Sequence, residues 1–445
     1  MNHGVGLSAG RVPEKKHVLI IGAGFFQLAL VKDASRDFAI SLAAPVITDD
    51  FAPYYEDCVL CDVRDYDAIA EFVRTCGHPI DGVITDATDM PVITVARIAD
   101  TFGLPGISPE TARLFTDKSL MRDKMEELGI KTMPHKTVQT LGEALEAFTQ
   151  IGSPVIIKPL DAQGSRGVQV CKTPEELSAK YPEAARWSSG ETGNSVIVEK
   201  LVSGREFVVE GCALNGRFWN LCIGDTNYFD IADSLSAKER VFPTLADDVL
   251  RNRVLNMNKR IVEGFGLNQG LTHSEFIMDG DEIYLLETAA RGGGAFISSD
   301  LIPLSCGLDT SRFLLGIAVG EISKPEQVAA MMGIADVNEL DTVPIRPLRH
   351  CAYIGFYIPE GEVLPVDGAD TVRALPYVHG TQIEGLERRV GTTIHDAHSD
   401  KTTRLLITLE ADSRTQLEER MAYIRETLRM NVRTPNGAIA GLIWE

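Results

Sequence analysis

Two acids set the chemistry to look for. Glu275 and Glu287 stand in runs otherwise filled by Phe, Ile, Tyr and Leu, where burial alone does not call for a carboxylate. The runs read as two antiparallel strands, Thr272–Met278 and Glu282–Thr288, joined at Asp279-Gly280-Asp281. Pairing them brings the two carboxylates together at one end of a sheet. That is a hard-oxygen site suited to Mg²⁺, which also takes phosphate oxygens. Arg291 follows, and Gly292-Gly293-Gly294 offers backbone N–H groups to an anion. Ordinary surface acids on a solvated hairpin are the plain alternative. An acid pair, an arginine and a glycine triplet this close together favour a metal–phosphate site.

A second cation source lies upstream. Pro154–Pro159 is an apolar strand ending in Lys158, followed by a glycine-spaced loop, Gln163-Gly164-Ser165-Arg166-Gly167-Val168, rich in N–H donors. Alone this is weak, since Gly164 and Gly167 serve equally well as turn residues. Ser195–Phe207 sharpens it: an apolar strand runs into an extended linker with Glu199 at one end and Glu206 at the other. Such a linker can present backbone groups to an adenine edge, and Glu206 can accept two ribose hydroxyls. A salt-bridged strand connection is the competing reading.

The chain has 445 residues and a net charge of 43 − 63 = −20, which argues against non-specific nucleic-acid binding and adhesion to anionic membranes. No run reaches the length of a membrane span and the start lacks a signal-peptide pattern. Met1–Lys16 reads as a disordered lead. The eight cysteines are scattered; Cys58 and Cys61 alone have a metal-like spacing and read as buried free thiols, which points to the cytoplasm.

Strands at His17–Gly22, Phe38–Leu42, Val59-Leu60 and Gly82–Thr85 alternate with helices at Leu28–Ser35, Tyr66–Cys76 and Met90–Phe102, predicting a doubly wound α/β domain. Gly22-Ala23-Gly24 invites a dinucleotide-binding reading, but Gln27 occupies the third glycine's place, so it is read as a tight βα turn. Thr111–Gly129 reads as one helix carrying Lys118. Asp225–Pro243 reads as irregular, and Val249–Gly264, Leu308–Val319 and Thr415–Met430 as helices. His395-Asp396-Ala397-His398 reads as surface, with no third metal ligand in view.

In their order and intervals, Lys118, Lys158 with its glycine loop, the Glu199–Glu206 linker, Glu275, Glu287 and Arg291 resemble the ATP-grasp superfamily of carboxylate–amine ligases. The resemblance runs from about Val18 to Leu315. It implies an α/β pre-ATP-grasp domain over residues 1–108 and an ATP-grasp core of two α+β subdomains over 109–330, with a lid at about 122–203. A small C-terminal α+β domain over 331–445 completes the expectation. By resemblance, Lys118 and Lys158 hold the α- and β-phosphates, and Gly164, Ser165 and Gly167 close over the γ-phosphate. Glu199 with Lys200 and Val202 meets adenine, and Glu206 the ribose. Glu275 and Glu287 carry Mg²⁺ (or Mn²⁺), and Arg291 stabilises the acyl-phosphate and the oxyanion formed on amine attack. Ala289 departs from the pattern, standing where many members have a metal-binding Asn. Glu-Thr-Ala-Ala-Arg looks instead like the L-amino-acid ligase branch. Implied partners are ATP, a small carboxylate and an amine, in a cytoplasmic enzyme that can be a homodimer. A bicarbonate-using carboxylase or carbamoyl-phosphate synthetase shares the core, and a non-catalytic nucleotide-binding regulator is a further alternative.

Overall fold

The computed structural model describes residues 15–162, 164, 166–188, 193–231, 235–395 and 404–445. The expectations placed on Gln163, Ser165, Asp396, Ala397, His398 and most of the N-terminal lead lie outside these residues.

The first layer is a parallel sheet of β1 (His17–Ile21), β2 (Ala39–Ala44), β3 (Asp57–Leu60) and β4 (Gly82–Ile84), ordered β3-β2-β1-β4. Its helices are α1 (Leu28–Asp37), α2 (Tyr66–Thr75) and α3 (Val92–Phe102). Every β1 and β2 residue is buried, as expected for strands covered on both faces. Gln27 shows why the β1 turn is not a phosphate cradle. Its side chain folds back over the turn, accepting from Gly24 N (2.8 Å), and a Cβ on Gly22 would lie 2.4 Å from its amide nitrogen.

Thr111–Gly129 is two helices rather than one, α4 (Pro109–Leu114) and α5 (Lys118–Glu127). Asp117 causes the break: its carboxylate accepts from Ser119 N and Leu120 N and caps a new helix, so Lys118 opens α5 at a corner. A small antiparallel sheet follows, ordered β5-β8-β6-β7, from β5 (His135–Val138), β6 (Val155–Pro159), β7 (Gln169–Cys171) and β8 (Val196–Lys200). It is backed by α6 (Leu141–Ile151) and α7 (Pro174–Trp187).

The largest sheet contains β9 (Arg205–Leu214), β10 (Arg217–Tyr228), β11 (Ala237–Phe242), β12 (Gln269–Asp279) and β13 (Glu282–Ala289), with α8 (Asp248–Gly264) between β11 and β12. Strand β11 corrects the irregular reading of Asp225–Pro243; its polar Lys-Glu-Arg run concealed a strand whose Arg240 faces a site. Later in the chain come β14 (His350–Tyr357), β15 (Gly361–Asp367), β16 (Val378–Thr381), β17 (Thr393–Ile394), β18 (Arg404–Ala411), β19 (Arg429–Arg433) and β20 (Ile439–Ala440). The sheet order is β13-β12-β9-β10-β11-β14-β18-β16, so C-terminal strands extend the central sheet, while β17-β15-β19-β20 form a separate one. No single helix among the described residues is long and apolar enough to cross a membrane.

Side-chain alternation divides the central sheet into two faces. Phe207, Val209, Phe276 and Leu285 pack with Met121, Met125 and Val254 of α5 and α8 in one core. Glu206, Glu210, His273 and Glu275 fall on the opposite phase, the side where Val208, Cys212 and Leu271 join the core shared with the N-terminal domain.

Candidate active site

Two cavities of about 310 Å³ each open on that second face and share a wall containing Tyr228, Leu235, Glu275 and Glu287. Glu275 and Glu287 are directly opposed across the β12–β13 hairpin, as the sequence predicted.

The first cavity gathers Lys118, Lys158, Ala162, Lys200, Val202 and Glu206 around that wall. Lys118 is 4% exposed; its Nζ donates to Ala162 O (3.0 Å) and to Glu287 Oε1 (3.2 Å). Lys200 lines the cavity while its Nζ donates to Gly152 O and Ser153 O. Tyr228 Oη donates to Glu206 Oε2 at 2.5 Å. Burial pushes the Glu206 carboxyl up to about 7, with the negative Glu275 adding to it and the Tyr228 hydrogen bond only partly offsetting it.

Glu199 departs from the expectation. It lines neither cavity and is completely buried, its carboxylate 2.7 Å from Arg122 Nε and 2.8 Å from Lys158 Nζ. Burial alone would raise its pKa; the two cations outweigh that and hold it well below the usual carboxylate range. The salt-bridged reading therefore applies to this acid, which fixes Lys158 from beneath. Arg122 also donates to Leu286 O (2.8 Å), next to Glu287, tying that buried pair to the hairpin.

The second cavity is arginine-rich, with Arg166, Arg240, Arg291 and Arg404 beside Asp89, His273 and Gly164. Arg291 is gripped by both oxygens of Asp89 (2.7 and 2.8 Å), a fork that fixes the guanidinium plane. Arg240 pairs with Glu275 and lies 2.9 Å from His273 Nε2. His273 in turn meets Glu210 through Nδ1 (2.5 Å) and Glu275 through Nε2 (3.1 Å). Burial opposes charge on Glu275, yet Arg240 and then His273 hold it well below the usual range. Burial opposes charge on His273, yet Glu210 and then Glu275 together raise its pKa above the usual imidazole value.

The glycine triplet serves differently from its expected anion role. Gly292 N donates to Asp86 Oδ1 (2.9 Å) and Gly293 N to Glu210 Oε2 (3.2 Å), so these N–H groups already bind the chain's own carboxylates. A Cβ at Gly293 would lie 2.7 Å from Ile297. Ala295 and Phe296 then take left-handed backbone at φ 56° and 62°, strain concentrated at the cavity rim. Gly167 lines neither cavity; its φ of 69° and close approach to Trp187 and Pro159 make it a turn glycine.

Sequence reading missed Arg240, His273, Glu210, Asp89 and Arg122. Signals existed for some. His273 precedes Glu275 by one strand period, and Asp86 and Asp89 follow the carboxyl end of a parallel strand, where α/β sheets place ligand contacts. No local pattern marks Arg122 or Arg240, whose partners are 77 and 35 residues away.

Comparison with known proteins agrees with this layout. The ATP-grasp domain family matches residues 151–300. Alanine–anticapsin ligase of Bacillus subtilis is 25% identical over 313 residues, 66% of this chain and 64% of that protein, so the match spans just under two thirds of that relative's length. D-alanine–D-alanine ligase B of Pseudomonas putida is 24% identical over 325 residues, 70% of this chain and 98% of that one. The crystal structure of an L-amino acid ligase from Bacillus licheniformis superposes with a TM-score of 0.77 at 20% identity, covering 94% of this chain and 98% of that chain. Residues 151–300 of the chain thus match the ATP-grasp domain, and the fold shared with the L-amino acid ligase extends over most of its length.

Proposed function

We propose that the protein is an ATP-dependent carboxylate–amine ligase that joins a small carboxylate, an amino acid in this reading, to an amine through an acyl-phosphate, releasing ADP and phosphate. The observation that carries it is the shared wall: one carboxylate pair stands between a lysine-lined cavity and an arginine-lined one. Lysines suit a polyphosphate as mobile point charges, and arginine forks suit planar carboxylates. The ligase names of the relatives agree.

The lysine-lined cavity takes ATP, with Lys118 and Lys158 on the phosphates, Glu206 on the ribose and the Lys200–Val202 backbone beside the base. Gly164 lines the arginine-lined cavity, which supports a phosphate-facing role for it. The residues fit Mg²⁺. Glu275 and Glu287 are opposed hard oxygen donors, and phosphate and water oxygens would complete the coordination of an ion between them. A divalent ion there supplies charge neutralisation to the transferring phosphoryl group. Each carboxylate now holds a cation, Arg240 on Glu275 and Lys118 on Glu287. Glu275 and Glu287 would hold a divalent ion, and Arg240 and Lys118, now paired with them, lie beside the space that substrate would fill.

In the arginine-lined cavity, Arg291 faces the acyl group and Asp89 keeps its fork oriented. Its charge meets negative charge that grows as the acyl-phosphate forms and as the amine attacks. Ala289 supplies no ligand, and His273 is its cross-strand partner. A cytoplasmic enzyme, and a homodimer, remain the expectations for setting and assembly, the latter measured by light scattering. A screen of amino-acid pairs for stimulated ADP release tests the reading. Activity with an amino acid and an amine, without bicarbonate, supports it; release only with bicarbonate supports the carboxylase alternative.

A further inference from the structure

A third cavity, of about 410 Å³, lies on the far side of Asp89 from the arginine-lined pocket. Most of its wall comes from Met90, Ile93 and Arg97 in and just before α3, Arg113, Asp117 and Leu120 at the α4–α5 corner, and Leu160 and Asp161 after β6, with Arg64, Gln139 and Ser195 also contributing. An adjoining groove shares Ile93, Arg97 and Arg113.

We propose that this cleft is a second ligand site, for a small carboxylate carrying an apolar body. Its floor is apolar, through Met90, Ile93, Leu120 and Leu160, and Leu120 is 39% exposed, unusual for a leucine with a cavity to cover it. Its acids are already engaged. Asp89 gives both oxygens to Arg291, and Asp117 caps two backbone amides of α5. Asp161 lies near Arg64, which also bonds Asp62. Arg97 is the cation left to meet a ligand. Its guanidinium stacks on the Tyr66 ring at 3.9 Å and makes no ion pair among the described residues. A stacked guanidinium keeps its N–H edge for a planar carboxylate, while an apolar body covers the floor. The volume is that of a site for a small organic molecule.

The occupant would touch the two acids that position Arg291 and Lys118. Asp89 orients Arg291, and Asp117 caps the helix opened by Lys118, whose backbone N–H bonds Leu160 O at 3.3 Å. Binding here is therefore linked to events in the catalytic cavities. The proposal rests on the cleft and not on the reaction assigned above.

Saturation-transfer NMR on the full chain, with 3-phenylpropionate as probe and neutral 3-phenylpropanamide as its partner, tests it. The carboxylate should bind, and the amide at least tenfold more weakly. Arg97→Met should weaken the carboxylate at least tenfold, and Ile93→Trp, which fills the floor, should abolish its signal, both with wild-type circular dichroism and melting curves. Arg240→Met, in the catalytic cavity, should leave it within twofold. No binding to the wild type, equal binding of the amide, retention in Ile93→Trp, or loss in Arg240→Met with retention in Arg97→Met would each overturn the proposal.

Discussion

The two cavities flanking Glu275 and Glu287 have the same volume and a common wall, but opposite cation chemistry. On one side stand Lys118, Lys158 and Lys200; on the other, Arg166, Arg240, Arg291 and Arg404. The lysines are steered from below, Lys158 by buried Glu199 and Lys118 by Glu287 and Ala162 O. Arg291 is clamped in plane by Asp89, and Arg240 sits between Glu275 and His273. The contrast teaches that one acid pair can serve two substrates if each side is built for a different anion. Point charges suit a phosphate chain that changes length during reaction; fixed forks suit a carboxylate that must be held in one plane.

The largest effect should come from the wall itself. Glu287→Gln keeps the shape but removes the charge on which both sides depend, and turnover should fall by about a thousandfold or more, on the scale of losing a major electrostatic element of catalysis. Glu275→Gln should behave alike. Wild-type turnover of either variant at saturating Mg²⁺ would dissolve the comparison.

Arg291→Lys should then separate the sides. It keeps a charge and loses the fork, so turnover should drop by about a hundredfold or more while ATP affinity stays within about threefold. Parallel kinetics and calorimetry decide it; equal losses in both would place Arg291 on the nucleotide side.

Glu199 supports the lysine side from outside the cavity. Glu199→Ala leaves Arg122 and Lys158 buried without their acid and should cost about 3–5 kcal/mol of stability, measured by denaturant unfolding. Lys158→Ala removes a charge that faces ATP and should weaken nucleotide binding by about 2 kcal/mol by calorimetry. If Lys158→Ala binds ATP normally, Lys158 serves only to neutralise Glu199.

These residues also mark how far the sequence could be read. The opposed acids on β12 and β13 were legible because alternation and a Gly-containing turn fix their register locally. The strand–helix order of the N-terminal domain was legible from its fully apolar strands. The two fates of Glu199 and Glu206 were not. They lie seven residues apart in one extended run, and Arg122 on α5 together with Lys158 on β6 decides which is buried and clamped. Arg240 was hidden for a similar reason: a polar strand facing a charged cavity has the composition of a loop. Likewise, only the fold shows that Gly292 and Gly293 spend their N–H groups on Asp86 and Glu210.

The smallest predicted effect is in pH. Glu206 must be ionised to accept two ribose hydroxyls, and its pKa is raised to about 7 chiefly by burial. Protonation below that value removes an acceptor, so ATP affinity should rise a few-fold from pH 6 to pH 8. Glu206→Gln should flatten the profile; an unchanged slope would assign it elsewhere.

The most direct measurement of the central claim is phosphorus NMR of a productive reaction between an amino acid, an amine and ATP. Attack of a carboxylate on the γ-phosphorus predicts ADP and inorganic phosphate, no AMP, and no need for bicarbonate. Pyrophosphate and AMP would contradict the account.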